Sequence, residues 1–129
     1  MSSEVNVYKL KITAPSNAPR KNITRIIKIR GNESLESLQE EILTAYEREW
    51  GHLYEFYISD DPARRKKSRI PGSVEFKYRK YEDPRCSGSA KDAYNTEIDE
   101  LSLEKGDYIF FLYDFGAMIY HKIKVMDIE

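Results

Sequence analysis

A chain of 129 residues is the size of one domain, and residues 1–129 are read as a single one. Hydrophobic residues are 40% and charged residues 33%, enough for a modest core beneath a well-solvated surface. The formal net charge of −1 excludes both a wholly basic nucleic-acid binder and an acidic mimic. The lone cysteine, Cys86, excludes an internal disulfide and points to a reducing compartment, the cytoplasm.

No basic stretch followed by an apolar run opens the chain, so no secretory leader is expected. The most apolar run, Tyr108 to Tyr113, is too short to span a bilayer, and no membrane association is expected.

Val5 to Thr13 alternates, with Tyr8, Leu10 and Ile12 on one face and Lys9 and Lys11 on the other, the pattern of a half-buried strand. Ala14 to Asn22 carries Pro15, Asn17 and Pro19 and reads as a loop. Ile23 to Arg30 is a second strand, with Arg25 lying oddly among Ile23, Ile27 and Ile29. Arg25 is expected at a wet end or beside a carboxylate.

Ser34 is a good helix N-cap, and Leu35, Leu38, Ile42, Ala45 and Tyr46 recur at helical spacing. The helix is expected to stop near Trp50-Gly51, where glycine can adopt the terminating conformation. His52 to Ile58 alternates as a strand. Asp60 to Ser73 reads as a loop, and Val74 to Tyr81 as another strand.

Glu82 to Asn95 looks irregular and Glu97 to Leu103 looks like a short helical turn. Two closing strands, Tyr108 to Tyr113 and Ile119 to Met126, form a hairpin around Gly116. The order ββαββ, short turn, ββ predicts an α+β fold: a mainly antiparallel sheet of five to six strands with one main helix on one face, β-grasp-like.

Several segments are similar to one family. They are Tyr8-Lys9-Leu10-Lys11-Ile12, Ile23-Thr24-Arg25-Ile26-Ile27, and Ser34, Leu35, Leu38 and Ile42 in the helix. His52-Leu53-Tyr54-Glu55-Phe56 follows, then Gly106-Asp107, Tyr113-Asp114-Phe115-Gly116 and His121. The chain resembles the small prokaryotic family named after the third open reading frame of a root-inducing plasmid. Its members often carry an insertion-sequence passenger or resolvase-like label. Gln39, Ala117 and Ile119 depart from its pattern, which has histidine, aspartate and tryptophan there. The resemblance implies a shared α+β fold and no assigned activity. A serine resolvase needs a nucleophilic serine among arginines and a helix-turn-helix, and neither arrangement is present.

Three places can carry chemistry. His52, Asp114 and His121 are residue types that ligate zinc or pair a general base with its orienting acid. Both histidines also fall in phase with apolar strand residues, and Asp114 can simply cap a turn.

From Ala63 to Arg85 there are nine basic and three acidic residues, interleaved with Phe76, Tyr78 and Tyr81. Arg64, Arg65, Lys66, Lys67, Arg69, Lys77, Tyr78 and Arg79 are the candidate nucleic-acid contacts, cations for phosphates beside rings for stacking. A solvated loop and a guarded sheet edge explain the same residues.

Cys86 in Pro84-Arg85-Cys86-Ser87-Gly88 lacks the spacing of a phosphatase loop. No cofactor or bound metal is implied. The reading is a non-enzymatic binding or interaction module with a protein partner. Its alternatives are a nucleic-acid-binding accessory protein using residues 64–85 and a metal-dependent enzyme with a His/Asp/His site.

Overall fold

The structure, a computed structural model, describes residues 5–15, 21–68, 78–83, 85 and 91–129. It is an α+β fold. Strands β1 (Val7–Pro15), β2 (Asn22–Arg30), β3 (Tyr54–Ser59), β4 (Tyr78–Glu82), β6 (Tyr108–Tyr113) and β7 (Ile119–Ile128) pair antiparallel, and the two-residue β5 (Lys91–Asp92) joins β4 in parallel. The order across the sheet is β2-β1-β7-β6-β3-β4-β5, so the first and last long strands are neighbours near its centre.

Helix α1 (Leu35–Ala45) covers one face. Ser34 caps it by accepting from Ser37 N at 3.1 Å, as expected, which contributes about 1 kcal/mol. The helix ends several residues before Gly51. Glu47 takes the left-handed conformation (φ 52°), Arg48 N–H donates to Leu43 O at 2.9 Å and Glu47 N–H to Thr44 O at 3.2 Å. This is the two-bond pattern that closes helices, here without glycine. It turns Arg48 back under the sheet, where it is buried.

Directly opposed residues share a face. Register therefore assembles the core from Tyr8, Leu10 and Ile12 on β1, Ile123 and Val125 on β7, Ile109, Phe111 and Tyr113 on β6, and Tyr54, Phe56 and Ile58 on β3. Leu35, Leu38, Ile42 and Leu43 of α1 close over it. The opposite faces of β1 and β7 carry Lys9, Lys11, Tyr120, Lys122 and Lys124. β6 is buried on both faces, with Phe110 and Leu112 only 2% and 3% exposed, so its sequence is continuously apolar rather than alternating.

Arg25 lies on the core side but finds no carboxylate among the described residues. Its Nε donates to Ala45 O at 3.2 Å and its guanidinium sits 5.6 Å from the Tyr46 ring centroid. The Asp60 to Ser73 stretch is not all loop. Asp61 caps a one-turn helix, α2 (Pro62–Arg65), by accepting from Ala63 N at 3.0 Å, and proline stands at its first turn. Glu97 to Leu103 contains the expected turn, a 3₁₀ segment at Ile98–Leu101. Of the expected strand Val74 to Tyr81, residues 74–77 lie outside the described residues.

Candidate functional site

The structure divides the histidine–aspartate trio. His121 points into the core from β7 and is fully buried. Arg48 Nε donates to its Nε2 at 3.0 Å, and its Nδ1 faces Phe111 O at 3.2 Å, so the second nitrogen carries the proton. Phe111 and Tyr46 enclose the ring, at centroid distances of 4.9 and 5.5 Å. Burial, then the neighbouring Arg48 charge, push its pKa down to about 3. With both nitrogens engaged, His121 is a core histidine.

His52 lies outside that core. Its Nδ1 is 3.7 Å from Asp114 Oδ2, and its ring meets Tyr113 edge-on at 5.6 Å. Asp114 caps the closing hairpin, accepting from Gly116 N at 3.1 Å and Ala117 N at 3.3 Å, itself at φ 60°. The expectation of one His/Asp/His site is therefore corrected. His52 reaches Tyr113 and His121 reaches Phe111, two residues away along β6. Among the described residues no three His, Cys, Asp or Glu side chains gather as a metal requires.

The described part of the basic segment is largely tied down. Arg65 Nε donates to Ser59 O at 2.8 Å, and its guanidinium lies 3.8 Å from Asp107 Oδ2. Lys66 pairs with Asp107 and, at 3.3 Å, with Glu104; those acids raise its pKa. Asp107 is buried and also accepts from Glu104 N at 2.9 Å, so the Gly106-Asp107 signature is an anchor for this segment.

Arg85 grips Asp83 with two nitrogens and donates to Gly51 O and His52 O, both at 3.0 Å. Lys67 is exposed and Arg64 half-buried. Tyr78 and Arg79 belong to the backbone of β4, while Arg69, Lys77 and Cys86 lie outside the described residues.

A second cationic feature is not contiguous in sequence. On the face opposite α1, Lys11 stands directly across from Lys124, and Thr13 across from Lys122. With Ser68 and Tyr108 these residues line a cavity of about 220 Å³. Lys124 Nζ is 5.8 Å from the Tyr108 ring centroid. Among the described residues none of Lys11, Lys122 and Lys124 is paired with a carboxylate.

Lys9-x-Lys11 reads in the sequence as the solvent side of its strand, and Lys122-x-Lys124 alternates in the same way. Only the strand order, with β1 beside β7, merges them. A further cavity of about 240 Å³ shares Thr13 and Lys122 and continues along Pro15, Met118 and Tyr120.

Sheet, helix and site together define a small α+β domain with a cationic cleft on its helix-distal face. The chain belongs to the plasmid pRiA4b ORF-3-like protein family, whose model matches residues 6–129. Its fold is similar to a crystal structure of a protein of unknown function, MM3350 from Methanosarcina mazei Go1, with 20% identity and a TM-score of 0.69. The alignment covers 98% of this chain and 62% of that one, so the chain spans less than two thirds of that protein's length. No curated protein matches.

Proposed function

We propose that the protein is a non-enzymatic binding domain that takes an anionic partner between β1 and β7, on the sheet face opposite α1. The observation that supports this most is the direct opposition of Lys11 and Lys124 beside Lys122, around a cavity whose described lining has no carboxylate. Like charges directly opposite one another destabilise a sheet, and a bound anion offsets that repulsion. Lysine ammonium groups with the hydroxyls of Thr13, Ser68 and Tyr108 offer charge-assisted hydrogen bonds to an oxyanion. With a net charge of −1 the whole chain repels polyanions slightly, so attraction is local to this face.

The test is retention on immobilised heparin at low salt. The wild type is expected to bind and Lys11→Glu to flow through. Lys11→Glu places a carboxylate opposite Lys124 and should leave the fold at least as stable, which separates lost binding from lost folding. Equal retention of both proteins, or none by the wild type, refutes the proposal.

A further inference from the structure

We infer that the anionic partner is single-stranded nucleic acid, held with phosphates on Lys11, Lys122 and Lys124 and bases against Tyr108 and Tyr120; this rests on the anion-binding reading above. On β7 the residues Tyr120, Lys122 and Lys124 alternate onto one face. Neighbours on one face of a strand are about 6.6 Å apart, close to the pitch of successive phosphates in an extended single strand. Tyr108 lies directly across from Lys124 on β6, so a ring borders the lysine row on that side, and Tyr120 borders it at the other end.

The cavity adjoining the cationic one adds a second feature. The cationic one is about 220 Å³ and the adjoining one about 240 Å³, and they share Thr13 and Lys122. The second is walled by Pro15, Met118 and Tyr120, with Met118 50% exposed. An anion seated among the lysines therefore adjoins a largely apolar recess. A ligand that matches must repeat an anionic group and an apolar ring. Single-stranded nucleic acid does so, because each unstacked base offers a π-face to a tyrosine. A duplex keeps its bases stacked inside, and a sulfated polysaccharide has no aromatic ring.

The position differs from the basic stretch between Ala63 and Arg85, where Arg65, Lys66 and Arg85 are committed to Asp107 and Asp83. The lysines of β1 and β7 have no such commitment among the described residues.

The experiment is fluorescence anisotropy with a labelled ten-nucleotide oligothymidylate, a duplex of equal length, and heparin retention in parallel. The expected result is tighter binding of the single strand than of the duplex. Tyr108→Leu and Tyr120→Leu should each weaken the single strand about tenfold, within the range for a lost stacking platform, and Tyr120→Leu, which lies outside the lysine cavity, should leave heparin retention unchanged. The logarithm of affinity should fall against the logarithm of salt with a slope of about −2, as three phosphate contacts predict. Heparin retention without preference for the single strand, or with tyrosine variants that bind the oligonucleotide normally, overturns this inference and leaves the anion-binding reading standing. Failure to retain heparin as well overturns both.

Discussion

Arg48 donates from Nε to Nε2 of His121 at 3.0 Å, a hydrogen bond between side chains 73 positions apart that joins the end of α1 to the centre of the sheet. Arg48 also donates to Pro15 O at 2.7 Å and lies over the Tyr46 ring at 4.8 Å. The pair depends on a neutral imidazole, because a protonated His121 has no acceptor for Arg48 and places two positive charges together.

The first prediction concerns pH. His121 has a folded pKa of about 3 against an ordinary value of 6.5. The unfolded chain therefore binds more protons between those values, and stability falls as pH drops from 6.5 toward 3, by at most about 1.4 kcal/mol per pH unit from this group. Above pH 6.5 its contribution is constant. Urea unfolding between pH 7 and 4 should show this slope, and His121→Leu should flatten it. The same variant should be less stable at pH 7 by about 2 kcal/mol, since Arg48 loses a buried acceptor. An imidazole resonance for His121 that titrates near pH 6 contradicts the assignment.

The second prediction separates anchoring cations from binding ones. Asp107 is 1% exposed and receives Lys66, Arg65 and the Glu104 amide. Asp107→Ala leaves these donors without their acceptor and should cost about 3 kcal/mol. Lys66→Ala, with a side chain 43% exposed, should cost about 1 kcal/mol or less. Neither change should alter heparin elution at a temperature where the variant is folded, whereas Lys122→Ala should elute earlier with little effect on stability. A Lys66 variant that loses heparin binding as Lys122→Ala does would reassign the basic segment to the binding surface.

These contrasts show how much was readable from the chain. Period-two patterning located β1, β2, β3 and β7, because a sheet with one buried face imposes alternation on the residues that build it, while β6, buried on both faces, showed as an unbroken apolar run. Ser34 marked the start of α1 by its capping chemistry. The stop was misplaced because Glu47, which has no sequence signal for a left-handed conformation, does what Gly51 was expected to do. Asp61-Pro62 carried the cap and first-turn signals of α2, but one turn of helix has no periodicity to expose it.

Site residues were harder. Asp114 and His121 fall in the right segments, yet their separation depends on which faces the register chooses. The lysine cleft is invisible until strands from the two ends of the chain, Lys11 and Lys124 among their residues, are known to be neighbours.

The third prediction tests the junction between β2 and the 3₁₀ turn. A Cβ on Gly31 would lie 2.1 Å from Asp99 Oδ1. That oxygen accepts from Tyr8 at 2.8 Å and from Asn6 at 3.1 Å, and Gly31 itself is joined to Asn6 O and the Asp99 amide by backbone bonds of 2.7 and 2.9 Å. To make room, the exposed Asp99 carboxylate must swing away and give up its bonds from Tyr8 and Asn6. Gly31→Ala should cost about 1–3 kcal/mol, the range for overpacking a tight site. It should also move the Tyr8 phenol, which burial and then Asp99 hold up at about 12, back toward the ordinary value of 10. Ultraviolet titration of tyrosinate absorbance reads that shift. If Gly31→Ala is as stable as the wild type and leaves the high-pH titration unchanged, Asp99 is not held at this junction in the manner described.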